Sequence, residues 1–250
     1  METERQIRIG TSGWSYKHWR GLFYPGDLKA ADEFDYYRQF FSTVELNSPF
    51  YRLPTKETFV KWKETTAEDF LFSVKASRFI THMKKLKDPA ESIARFMENV
   101  AALEEKLGPI LFQLPPNWQV NIERLADFLE KLPKTFRYVF EFRNETWYSD
   151  EVLNLLRKYN CAFCIYDLAH HLTPMEVTAD LVYVRLHGPG DHYQGSYDDK
   201  SLNVWADRCI EWRKNHDVFV YFDNDIGGHA PHNAKRLSEL VESAKKIGIV

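Results

Sequence analysis

Polar side chains recur near the ends of short apolar runs, and always on the same alternation. Glu45 and Asn47 alternate with Val44 and Leu46 in TVELN. Lys75 follows Val74 in FSVKAS, Gln113 sits in ILFQL, and Glu141 and Arg143 sit in VFEFR. Asp167 ends CIYD, Arg185 and His187 lie in VYVRLH, and Asp223 ends VFVYFD. These residue types suit proton-transfer chemistry on an anion. Glu45, Glu141 and Asp223 are acid/base candidates, and His187 can move protons near neutral pH. Lys75, Arg143 and Arg185 would hold a phosphate or carboxylate, the arginines through forked contacts. A lysine at such a place also raises Schiff-base chemistry, but acidic neighbours would keep Lys75 protonated.

The alternation says how these groups would be positioned. Successive strand residues point to opposite faces. One parity is apolar throughout: Phe72 and Val74, Ile110 and Phe112, Phe140 and Phe142, Val182 and Val184, Val218 and Val220. That parity is expected to pack on helices. The other parity turns polar late in each run and would face one mouth. Desolvating carboxylates and cations costs several kcal/mol each unless they are paired, roughly. Filling an interior with Glu45, Glu141, Asp167, Asp223, Lys75, Arg143 and Arg185 is therefore a costly alternative to Val, Ile and Leu, and it points to a ligand site.

Eight such runs occur, beginning at Ile7, Thr43, Phe70, Pro109, Arg137, Cys161, Leu181 and Asp217. Amphipathic segments lie between them, the signature of parallel β/α units. A count of eight in 250 residues predicts one TIM-type (β/α)8 barrel spanning 1–250 as a single domain, with its site at the carboxyl ends of the strands. Asp88 is the expected N-cap of a helix with Pro89 in its first turn, and an apolar stripe continues through Leu103 to Leu107. Asn121 and Ser149 are expected caps, Ser201 is the expected start of another helix, and one more follows Pro231. Between Leu168 and Ala179 the spacing is short and Pro174 intervenes, so that connection is expected to be irregular.

The strand-end loops supply further ligand-binding candidates. Trp14 belongs to an aromatic, basic stretch, GWSYKHWRGLFYP, that would stack on a ligand or pack as a lid. Asn47 and Tyr51 lie in the second loop. The SRFITHMKKLKD loop is the strongest basic cluster and reads as a solvated loop or a phosphate-attracting rim. In the last loop, Asn224 and Gly228 stand where barrels of this class often cradle phosphate on backbone N–H groups.

The net charge of −3 argues against a wholly basic nucleic-acid binder. No apolar run reaches 18 residues, so no membrane contact is expected, and the charged N-terminus lacks the apolar stretch of a signal peptide. Three cysteines, Cys161, Cys164 and Cys209, suit a reducing cytoplasm. Cys161 and Cys164 form C-x-x-C within an apolar strand; three residues apart they should face opposite ways and cannot serve one centre.

GTSGWSYKHWRGLFYP, TVELNSPFYRLP, FSVKASRFITH, FQLPP, FEFRNETW, VYVRLHGP and the YFDND…GHA segment occur in this order. Together they resemble the domain-of-unknown-function 72, or YecE-like, family over nearly the whole chain. The resemblance implies a TIM-type barrel and no particular activity. By fold, a more distant likeness connects such barrels with endonuclease IV-like and xylose-isomerase-like barrels, which hold divalent metals with His, Asp and Glu clusters. Here only His187 is an inward histidine, and cations occupy inward positions, so that metal pattern is not matched. The leading expectation is an enzyme, a hydrolase or lyase, acting on a small phosphate- or carboxylate-bearing substrate. One alternative is a nucleic-acid-binding or -processing protein, stacking bases on the first loop. Another is a metal-assisted hydrolase with one divalent ion among Glu45, Glu141, Asp167, His187 and Asp223. The cofactor and the oligomeric state are open.

Overall fold

Each expected apolar run becomes a strand because β-branched and aromatic residues at alternate positions fit a pleated surface buried on both faces. The computed structural model describes residues 5–246; the first four residues of the charged N-terminus lie outside the described residues. The strands are β1 (Ile7–Thr11), β2 (Thr43–Leu46), β3 (Leu71–Lys75), β4 (Leu107–Leu114), β5 (Tyr138–Phe142), β6 (Cys161–Leu168), β7 (His171–Leu172), β8 (Leu181–Leu186) and β9 (Asp217–Phe222). The helices are α1 (Glu33–Tyr37), α2 (Ser48–Tyr51), α3 (Lys56–Glu64), α4 (Pro89–Val100), α5 (Ile122–Lys131), α6 (Asp150–Lys158), α7 (Asp199–Arg213) and α8 (His229–Lys246). The strand order is β1-β9-β8-β6-β5-β4-β3-β2, with β7 pairing β6 off this path. Parallel strands alternating with helices in this order place the chain in the (β/α)8, TIM-type class.

The chain divides into two compact units: residues 1–44, 165–175 and 180–250, and residues 45–164 with 176–179. In the first, β1, β9 and β8 are parallel neighbours, with Ile9 beside Val220 and Val184 also beside Val220. The buried face of α8 runs Ala230, Ala234, Leu237 and Val241, and that of α7 runs Leu202, Trp205, Ala206, Cys209 and Ile210. This is the 3.6-residue stripe a helix needs to bury one side. A Cβ on Gly10 would lie 2.4 Å from the Thr43 carbonyl oxygen, so only glycine allows this approach.

In the second unit β3, β4, β5 and the start of β6 are parallel, and Gln113 lies beside Glu141 in register. Phe112 stacks on Phe140 with ring centroids 5.3 Å apart, and Phe128 of α5 meets Phe112 edge-on at 5.0 Å. Each such ring, fully buried, contributes about 1.5–3 kcal/mol. The helix-facing parity therefore carries the core of this unit.

Several local expectations are corrected. Asp88 does not cap α4 with its side chain; it adopts a left-handed conformation at φ 46°. The helical stripe ends at Val100, tighter turns run to Lys106, and Leu107 opens β4 instead of closing a helix. α7 starts at Asp199, capped by Asp198, whose carboxylate accepts from the Ser201 amide at 2.8 Å. α8 starts at His229, so Pro231 falls within its first turn rather than before it. The expected caps at Asn121 and Ser149 do accept from the amides of Arg124 and Val152. The 168–179 connection is irregular as expected: it opens with a tight hairpin, Asp167 pairing Leu172 and Leu168 pairing His171, and residues 173–179 form neither helix nor strand. Its turn residues Ala169 and His170 have φ of 49° and 66°, the twist a two-residue hairpin needs.

Cys161 and Cys164 do face apart. The Cys164 sulfur lies 4.0 Å from Glu141 Oε2, whereas Cys161 Sγ turns to the Tyr159 carbonyl. Burial pushes the Cys161 thiol up to about 12, so it is inert at neutral pH.

Candidate functional site

In the first unit the sheet's own hydrogen bonds carry four polar residues to one level. The Ser12 amide donates to Phe222 O, the Asp223 amide to Leu186 O, and the His187 amide to Asp167 O. Each of these residues stands at or just past the carboxyl end of β1, β9, β8 or β6. The ladder sets their backbone positions. Below them on the same parity lie Tyr183 and Tyr221, both fully buried, with Tyr221 sharing a 2.6 Å hydrogen bond with Thr43.

Arg185 is 1% exposed and His187 is wholly buried. Arg185 donates to Asp223 Oδ2 at 2.9 Å and to Ser12 Oγ at 3.3 Å, and its other terminal nitrogen lies 3.4 Å from His187 Nε2. His187 Nδ1 lies 3.0 Å from the same Asp223 oxygen, without the alignment of a hydrogen bond. An arginine can only donate, so Nε2 must present its lone pair. The proton then belongs on Nδ1, facing the carboxylate. In that tautomer the imidazole sits between a guanidinium and a carboxylate, with its basic nitrogen toward the guanidinium.

Asp167 accepts from the Tyr197 hydroxyl at 3.0 Å, and that hydroxyl accepts from the Gly188 amide at 3.1 Å. Burial holds the Asp167 carboxyl above the ordinary carboxylate range, against the lowering effect of Tyr197. A carboxyl whose pKa is raised by folding stabilises the fold below about pH 4, and that contribution is lost as pH rises through the raised value. Asp167→Asn keeps an acceptor for Tyr197 and removes the charge. Urea melts should therefore favour the variant over the native protein more at pH 7 than at pH 4. A difference independent of pH would contradict this assignment.

Asn224 is fully buried and donates to Gly195 O and to Asn233 Oδ1, both at 2.8 Å. Asn233 in turn accepts from the Tyr197 amide at 3.1 Å. The Asn224 Oδ1 atom is buried with no hydrogen-bond partner among the described residues, so it remains an acceptor. Trp14 packs its ring on Phe34, with ring centroids 4.6 Å apart. The same first loop is tied to the last one, because Trp19 Nε1 donates to Asp225 Oδ1 at 2.5 Å and His18 Nε2 lies 3.0 Å from Asp225 Oδ2. Gly228 is held in the turn that closes the last loop. Its amide is already spent on Asp225 O at 2.8 Å, and a Cβ there would lie 2.8 Å from Leu22.

The second unit holds the remaining sequence-derived residues. Arg143 donates from Nε to Glu141, and Cys164 lies beside the other Glu141 oxygen. Gln113, next to Glu141 on the sheet, is half-buried. Lys75 places its ammonium 4.5 Å from the Phe50 ring centroid, and His82 meets the same ring edge-on at 5.1 Å. Burial, then the charges of Lys75 and Arg78, hold the His82 pKa below the usual imidazole value. Glu45 is fully buried at the end of β2. Asn47 precedes α2 without capping it, and its Oδ1 is buried without a partner among the described residues. Tyr51 closes α2, a single turn rather than a loop, and is 74% exposed.

Sequence reasoning missed Ser12 and Asn233, and placed Tyr197 in a loop near the mouth without giving it a role. Ser12 had a signal, since it continues the Arg8–Gly10 parity of β1. Asn233 is a polar residue on the buried stripe of α8, where the period marks the face but not the role. Among the described residues, no three His, Cys, Asp or Glu groups gather as a metal-binding set. No helix among them is long and apolar enough to cross a membrane.

The family model described as "Protein of unknown function DUF72" matches residues 8–248. The UPF0759 protein YunF of Bacillus subtilis is 25% identical over 94% of this chain and 95% of its own length. The UPF0759 protein YecE of Escherichia coli K12 is 29% identical over 57% of this chain and 50% of its own length. Among solved structures, a DUF72 family protein from Thermotoga maritima superposes with a TM-score of 0.84 at 29% identity, covering 95% of this chain and 99% of that one. D-psicose 3-epimerase from Clostridium cellulolyticum reaches a TM-score of 0.51 at 10% identity over 96% and 97% of the two chains, a likeness of fold alone. With its eight parallel strands, its ladder-borne polar residues and a family match over nearly all its length, this chain belongs to the DUF72 family.

Proposed function

We propose that the protein is an enzyme acting on a small anionic substrate, with Arg185 meeting its phosphate or carboxylate and the His187–Asp223 pair moving a proton. One observation carries this reading: Arg185 and His187 are both fully buried at the end of β8 and share a single Asp223 oxygen. A trio of this kind is expensive to desolvate, roughly several kcal/mol per ion. Active sites of barrels in this class stand at the carboxyl ends of the strands. An anion taking the guanidinium nitrogen beside His187 would release Nε2 as a base, with Asp223 stabilising the imidazolium that forms. Asn224 Oδ1 offers an acceptor for a substrate hydroxyl or amine. Hydrolysis or elimination on a phosphate-bearing small molecule fits these roles.

A thermal-shift panel of phosphate esters and carboxylates tests the reading. A substrate-like anion at about 100 times its Kd stabilises the native protein by about 2.7 kcal/mol. His187→Gln should keep that shift, because it leaves Arg185 in place, and should lose turnover of the same compound. A panel in which no anion raises the melting temperature removes the reading.

A further inference from the structure

The second unit contains a cleft of about 430 Å3, lined in part by the basic SRFITHMKKLKD loop and by none of the residues of the Arg185 centre. It lies between the turn after β3 and one face of α4, and its size falls in the range of small-molecule sites. Leu53, Phe79, Ile80 and Phe96 supply an apolar wall. Two cations, Lys84 and Arg95, stand against one carboxylate, Glu91. Among the described residues neither cation has an ion-pair partner; Lys84 instead lies 5.5 Å from the Phe79 ring centroid. Two unpaired cations beside an apolar wall are suited to an anion carried on an apolar body.

The backbone that presents Lys84 is unusual. Phe79–Met83 form a single wide helical turn with five-residue spacing, closed by the Lys84 amide donating to Phe79 O at 2.9 Å. Such turns are rare and cluster at functional sites. Immediately beyond, Lys85, Leu86 and Asp88 all adopt left-handed conformations, with φ of 48°, 61° and 46°. For residues other than glycine this costs about 1–2 kcal/mol each. The conformation persists because Leu86 is fully buried and its amide bonds Ile80 O at 3.0 Å, while the Lys87 amide bonds Lys84 O. Strain held in this way around one cation is characteristic of sites that need a side chain at a fixed place.

We propose that this cleft binds a small organic anion, an aryl or alkyl phosphate or carboxylate, with the anion between Lys84 and Arg95 and its apolar body on Phe79, Ile80 and Phe96. Ser77 and Asn99 line the same cleft and supply polar contacts at its edge. This is a different site from the Arg185 centre and does not depend on the activity proposed there.

Calorimetric titration of the full chain with phenyl phosphate tests it, with inorganic phosphate and benzyl alcohol as half-probes. The expected result is saturable one-to-one binding of phenyl phosphate, at least tenfold tighter than either half-probe. Lys84→Met and Arg95→Met should each weaken it about tenfold or more, whereas Lys87→Met, outside the lining, should leave it unchanged. Arg95 is an exposed helix residue, so that variant will fold even where Lys84→Met does not. The proposal is overturned by any of three results: no saturation, inorganic phosphate binding as tightly as phenyl phosphate, or phenyl phosphate affinity unchanged in Arg95→Met.

Discussion

Arg185→Met should destabilise the protein by about 3–5 kcal/mol, the cost of leaving one partner of a buried ion pair uncompensated. Methionine fills similar space and adds no polar atom, so the loss is electrostatic rather than steric. Arg185 is 1% exposed, so water cannot replace its hydrogen bonds to Asp223 and Ser12. The carboxylate it leaves behind is 15% exposed and still faces His187 Nδ1 at 3.0 Å. In that variant the imidazole is the nearest group of the trio able to take a positive charge, and Asp223 will favour its protonation. The second variant in the cycle, Asp223→Asn, removes the stranded charge. Arg185→Met/Asp223→Asn should therefore be more stable than the sum of the single losses predicts, with a coupling of about 0.5–3 kcal/mol. Denaturant melts of the four proteins measure it. Strict additivity would show that Arg185 and Asp223 do not act as a pair, and the proposed anion site would lose its central residue.

The parts of this picture legible in the sequence are those governed by a period of two. Val218 and Val220 announce one face of β9, and Tyr221 and Asp223 announce the other. A strand cannot shift by one residue without exchanging its faces, so the pattern constrains every side chain at once. The same reasoning separates Cys161 from Cys164. What escaped was set by contacts between distant loops or by unusual backbone. The hairpin at Ala169–His170 carries no Asn-Gly or Asp-Gly signature; its positive φ values are imposed by the pairing of β6 with β7. Asp88 looks like a cap, but the buried Leu86 beside it draws the chain into a left-handed path that points its side chain elsewhere. Whether the Gly228 amide is free depends on the turn that closes over it, and Asp225 O takes this one. Glu141 and Arg143 were legible as neighbours on one parity; that they bond each other is a matter of rotamers, which sequence pattern does not reach.

Gly188 shows how much of the His187 environment depends on a residue with no side chain. Its φ of +107° is left-handed territory, and a Cβ there would lie 2.1 Å from the Gln194 carbonyl oxygen. The obstacle is backbone, so no rotamer change relieves it. Gly188→Ala must push the Gln194 carbonyl away, and that carbonyl also receives the Gly190 amide. The displacement passes to Gly195, whose carbonyl accepts from Asn224, and along the loop to Tyr197. Conformational strain and the clash together should cost at least about 2 kcal/mol. The chemical signature is more specific than the stability loss. Burial, reinforced by the charge of Asp167, holds the Tyr197 hydroxyl protonated far above the ordinary tyrosine range. If the loop moves, Tyr197 gains water, its hydrogen bond to Asp167 lengthens, and its ionisation falls toward that of a free tyrosine. An ultraviolet pH titration comparing Gly188→Ala with Gly188→Ala/Tyr197→Phe isolates that one hydroxyl. The anion-induced thermal shift should weaken in Gly188→Ala although Arg185, His187 and Asp223 are all present, because the amide next to His187 no longer has a fixed partner. A variant with native melting temperature and an unshifted Tyr197 would mean that the loop tolerates a side chain at 188, and that the ladder alone positions His187.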